Sequence, residues 1–93
     1  MNATEVLGQK IFTGRGYKRF GDFTHEDVQS RAAELAAAAT AGPLARVAPV
    51  ARAWRELGVA LRSAGVDTVA ELDPELVCDL GRRTWVLPPS LLK

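Results

Sequence analysis

Between Val47 and Gly65 the apolar residues recur at helical spacing. Val47, Val50, Ala51, Trp54, Leu57, Gly58, Leu61 and Ala64 fall on one arc when the chain turns about 100° per residue. Such a stripe must be covered by other elements, so the rest of the chain is constrained to supply them. Pro49 lacks an amide donor and belongs in a first turn, which sets the start near Val47 or Ala48, and Gly65 supplies the C-cap. Fully burying Trp54, Leu57 and Leu61 contributes on the order of 1.5–3 kcal/mol each. This helix is expected to be the spine of the core.

The covering elements are also helical. Asn2 followed by Glu5 has the order of a capping box, which predicts a short helix to about Phe12 that buries Val6, Leu7 and Ile11 and ends at Gly14 and Gly16. Thr24 is a good N-cap, and Glu26 and Asp27 suit the positive end of a helix running to Ala41. Val28, Ala32, Leu35, Ala36 and Ala39 form its inner face, and Gly42-Pro43 stops it. Asp67 is placed to cap a turn through Leu72. Asp73, Pro74 and Glu75 then open a helix through Leu80 that Gly81 is expected to stop. The tail over 86–93, with tandem prolines, is expected to be extended. No alternating run predicts a sheet, and no repeat appears. The expected fold is all-α: one domain over 1–93, a small bundle of about four helices with an irregular aromatic and basic loop.

Composition narrows the function classes. The 93 residues carry a net charge of +1, which excludes the strongly basic make-up of a nucleic-acid coat protein but not a local basic face. The single cysteine, Cys78, allows no internal disulfide and predicts a reducing compartment. No run approaches the ~18 apolar residues of a membrane span, and the N-terminus lacks the pattern of a signal peptide. A cytoplasmic protein with no membrane partner is expected.

Catalytic chemistry finds few residues to work with. His25 is the only histidine and lies 53 positions from Cys78, so the two do not make a metal site with ligand spacing. Cys78 has Arg82 one turn away and no histidine near in sequence, which suits a packed thiol rather than a nucleophile. Asp67, Glu71, Asp73, Glu75 and Asp79 crowd the C-terminal third at positions that capping mostly explains. Thr13–Arg19 has the glycines but not the spacing of a phosphate-binding loop. No enzyme activity, cofactor or metal is expected.

Two clusters are not required by capping or core packing. From Lys10 to Phe23, fourteen residues hold four of the six aromatics and four of the twelve cations. Phe12, Tyr17, Phe20 and Phe23 are expected to fold inward, because an alanine-faced bundle needs bulk. That leaves Arg15, Lys18 and Arg19 to meet a partner. Glycines beside arginine and aromatics also suit single-stranded nucleic acid. On the third helix, Arg52, Arg55 and Arg62 lie within about 80° of one another beside the Trp54 face. They suit phosphates or an acidic partner, or form a solvated face partly paired with Glu56.

Leu61–Leu72 (LRSAGVDTVAEL) resembles the start of a helix-hairpin-helix module and is similar to the C-terminal domain of bacterial RNA polymerase α subunits. Asp79–Thr84 is similar to that family's hairpin, whose amides bind the DNA backbone. The resemblance implies Gly81, Arg82, Arg83 and Thr84 as DNA-facing positions. The whole chain, especially over 14–24 and 47–57, resembles small actinobacterial proteins, a likeness that implies provenance and a short complete protein but no activity. Taken together, the expected function is non-catalytic binding to a protein partner through one surface joining the 14–23 loop to the arginines of the third helix. Nucleic-acid binding is the alternative, and a monomer or weak homo-oligomer is the expected state.

Overall fold

The computed structural model describes residues 2–13, 16–40 and 47–85. Arg15, the Gly42-Pro43 stop and the tail over 86–93 lie outside the described residues. The elements are α1 (Ala3–Leu7), β1 (Lys10–Phe12), β2 (Tyr17–Arg19), α2 (His25–Ala39), α3 (Ala48–Ala64) and α4 (Pro74–Trp85), with single 3-10 turns at Phe20–Asp22 and Val69–Glu71. The protein is all-α in class, with four helices and one small two-stranded sheet among the described residues.

The N-terminal third departs most from the sequence expectation. Asn2 Oδ1 accepts the Glu5 amide at 2.9 Å, as a cap should. The helix it opens ends at Leu7 rather than near Phe12. Gln9–Phe12 instead pairs antiparallel with Tyr17–Phe20: Lys10 lies opposite Arg19, Ile11 opposite Lys18 and Phe12 opposite Tyr17, and Phe20 N–H donates to Gln9 O at 2.8 Å. The expected irregular loop is therefore a hairpin. Its turn closes where Thr13 N–H donates to Gly16 O at 2.8 Å, and Gly16 takes φ 148°, a conformation side-chain-bearing residues rarely adopt. Ile11 still reaches the core, but from a strand.

The helices follow their sequence signals more closely. Thr24 and Asp27 form a reciprocal capping box at the start of α2: Asp27 N–H donates to Thr24 Oγ1 at 3.1 Å, and Thr24 N–H donates to Asp27 Oδ2 at 3.0 Å. Helix α3 runs from Ala48 to a left-handed Gly65 with φ 68°, whose amide reaches Leu61 O and Arg62 O. Its buried arc is wider than the sequence stripe. Ala53 is buried while Ala64 is exposed, because α3 carries α2 on one flank and α4 on the other. Trp54 sits at the centre with its ring 5.8 Å from that of Phe20 and 5.3 Å from that of Phe23.

After α3, Thr68 rather than Asp67 caps the next turn. Glu71 Oε2 accepts from the Asp67 amide at 3.0 Å, the Thr68 amide at 2.9 Å and the Thr68 hydroxyl at 3.1 Å. Thr24 and Thr68 form an isolated bridge, and Val69 N–H donates to Phe23 O at 3.1 Å, which ties this turn to the start of α2. Helix α4 passes through Gly81 and continues to Trp85. A mid-helix glycine disfavours the helix by about 1 kcal/mol. Packing outweighs this: Gly81 is buried, Thr84 is 1% exposed, and Trp54 Nε1 donates to Thr84 O at 2.6 Å.

Candidate functional site

Three of the five acidic residues of the C-terminal third are occupied structurally. Glu71 caps the Asp67–Thr68 amides, Asp73 Oδ2 accepts the Glu75 amide at 3.2 Å, and Asp79 pairs with Arg83 at 3.0 Å. The Thr68 amide, the Thr68 hydroxyl and the Asp67 amide hold the Glu71 carboxyl below its ordinary pKa. Among the described residues no group of three or more His, Cys, Asp or Glu is arranged to hold a metal ion.

Gly81–Thr84 lies inside α4, so its amides face the carbonyls one turn back rather than presenting at a turn as the hairpin resemblance implies. Gly81 and Thr84 are buried, and the Thr84 hydroxyl donates to Gly81 O at 2.9 Å. Arg82 Nε donates to Cys78 O at 3.2 Å. Arg83 bridges Glu56 and Asp79, each at 3.0 Å. The bridge to Glu56 matters for α3: Glu56 is turned toward α4 and away from the arginine stripe.

The stripe itself borders a groove between α2 and α3. One half, of about 330 Å³, is lined by His25, Gln29 and Ala32 from α2 and by Arg55, Gly58, Val59 and Arg62 from α3, over buried Trp54. The other half, about 170 Å³, is lined by Ala32, Ala36 and Ala39 against Ala48, Ala51, Arg52 and Arg55. Ala32 and Arg55 belong to both, so the halves adjoin, and from His25 to Ala39 the groove follows α2 for about 21 Å. No Asp or Glu is among these lining residues. Arg52, Arg55 and Arg62 are exposed, and among the described residues none of them is in an ion pair. Val59, 59% exposed, sits among them.

The hairpin divides its aromatics. Phe20 and Phe23, 0% and 2% exposed, enter the core as expected, whereas Phe12 and Tyr17, 55% and 71% exposed, point outward and meet edge-to-face at 5.4 Å. Lys18 is not left to a partner: its Nζ forms an ion pair with Asp27 and lies 5.8 Å from the Phe23 ring centroid. Partial burial opposes the charge on Asp27, but the Lys18 ammonium and the Thr24 amide and hydroxyl outweigh it, so its carboxyl lies below the ordinary value. Arg19 is exposed.

The expected single surface is in fact two. Thr13 and Phe23 border Asp27, Ser30, Arg31 and Glu34 on one flank of α2, while the groove uses His25, Gln29 and Ala32 on the other. At about 100° per residue these flanks are roughly opposite. Sequence reading missed Val59, Gln29 and Lys10 as surface members. The signal for Lys10 and the outward rings was the pairing of two short aromatic-basic segments across a glycine-flanked turn.

Comparison with known protein families, curated proteins and solved structures finds no match to this chain.

Proposed function

We propose that this protein is a non-catalytic binding module whose α2–α3 groove takes an acidic, helical segment of another protein. The observation that carries the reading is the combination of three arginines along one wall with an alanine-rich floor whose described lining contains no carboxylate. Arginines without an internal counter-charge favour an acidic partner and set its register. The apolar floor favours a helix laid along it, with small side chains permitting close approach. A phosphate backbone would leave that floor uncovered. A cytoplasmic setting suits a chain with one cysteine, and among the described residues no helix is long and apolar enough to cross a membrane.

A photo-crosslinking residue at exposed Val59, introduced into the full chain in its native cells, tests this reading. The expected adduct is an acidic amphipathic segment of a protein, identified by peptide sequencing and absent when the crosslinker is moved to Glu75. Adducts with nucleic acid alone, or the same adducts from both positions, would overturn it.

A further inference from the structure

We propose that the outer face of the β1–β2 hairpin is a stacking site for single-stranded nucleic acid, separate from the groove. Directly opposed residues of an antiparallel pair share a face, and neighbours along a strand alternate. The register therefore places Lys10, Phe12, Tyr17 and Arg19 together on one side, all exposed, with Ile11 and Lys18 on the other. Two outward rings and two cations share this face, and among the described residues of the two strands none is a carboxylate.

Phe12 and Tyr17 support each other across the strands at 5.4 Å, but the two cations on this face do not serve the hairpin's own stability. Phe20 and Phe23 already supply the aromatic bulk of the core, and Lys10 opposite Arg19 is a like-charge pair, which is unfavourable by itself. An anion beside that pair removes the repulsion. Flat apolar groups on Phe12 and Tyr17 cover the exposed rings. A single strand brings both: bases stack on aromatic faces while phosphates follow the cations. A duplex hides its base faces within its own stack. The face is also held in place, because Arg31 Nη1 donates to Phe12 O at 3.0 Å and the Lys18–Asp27 pair fastens β2 to α2. A platform fixed before binding loses less freedom when it is occupied.

The test is a titration of the full isotope-labelled chain with a short oligothymidylate at low salt, following backbone amides by NMR. Shifts are expected at 10–12 and 17–19 and not along α3. An abasic strand of equal length and charge should bind about tenfold more weakly, and so should the variants Phe12→Thr and Tyr17→Thr, which keep strand propensity. Tyr17→Phe should bind as the parent does. Contact with about two phosphates gives a loss of about sevenfold between 50 and 200 mM salt. Equal affinity for the abasic strand would overturn stacking, and that comparison stands even if the threonine variants loosen the hairpin. Absence of shifts would overturn the site. Shifts produced by phosphatidylserine vesicles but not by the oligonucleotide would replace it with a membrane contact.

Discussion

Trp54 does more than fill space. Its indole N–H meets Thr84 O in the last turn of α4, where helix carbonyls have no intrahelical donor. The Arg31 guanidinium lies 5.6 Å from its ring centroid on another side. Trp54→Phe retains a ring but removes this buried hydrogen bond and part of the packed indole, and should cost about 1–3 kcal/mol in urea unfolding. Loss of amide protection should concentrate at the end of α4. Asp27 acts at the same scale. Its folded-state pKa is depressed, so its stabilising contribution is present above the unfolded value near 3.8 and is lost as pH falls through the lower folded value. Unfolding midpoints measured from pH 6 down to about 2 should fall more steeply for the parent than for Asp27→Asn. A like slope in both would show that the Lys18–Asp27 pair contributes nothing. The role of Trp54 as a core residue was legible from the α3 stripe. Its bond to Thr84 was not, since nothing local ties residues thirty positions apart.

At the scale of elements, legibility follows length. Helices α2 and α3 have 15 and 17 residues and several periods of pattern, so their starts and most of their inner faces could be read directly, although Ala36 and Ala64, expected inside, are exposed and Ala53 is buried. The strands have three residues each, and Lys10-Ile11-Phe12 holds barely one alternation. Their pairing is fixed by the turn at Gly16 and by Ile11 facing the core, neither of which leaves a periodic trace. Gly81 misled for a different reason: tertiary packing on α3 overrides a weak local preference. Replacing Gly16 with alanine should destabilise the hairpin by about 1–3 kcal/mol, seen as faster amide exchange at 10–12 and 17–19 with α3 unchanged. Gly58 should behave in the opposite way. A Cβ there would meet Val28 Cγ1 at 3.6 Å, an ordinary contact, while the helix gains propensity. Gly58→Ala should therefore raise stability by about 0.5–1 kcal/mol in chemical denaturation. A loss would mean that α2 and α3 pack more tightly at this crossing than their backbones indicate.

For the whole molecule, the consequence is a division of surfaces. The sequence joined Arg15, Lys18 and Arg19 to the third-helix arginines on one contact face, and the wheel of α3 grouped Arg52, Arg55 and Arg62. What it did not contain was the position of α2, whose two flanks separate that stripe from the hairpin. One flank bears the groove with its alanine floor, and the other supports the face of rings and cations. Partners at the two sites should bind without competing, since no lining residue is shared between the groove and Lys10, Phe12, Tyr17 and Arg19. The central claim is that the groove accepts an acidic helix. Its most direct measurement is an NMR titration of the full chain with an amphipathic peptide having an alanine-leucine face and a glutamate face. Amides of α2 and α3 around Ala32, Arg55 and Val59 should shift, the hairpin should stay still, and Arg52→Glu/Arg55→Glu/Arg62→Glu should abolish the effect while keeping the helical signal. Shifts confined to the hairpin, or equal binding by the charge-reversed chain, would contradict it.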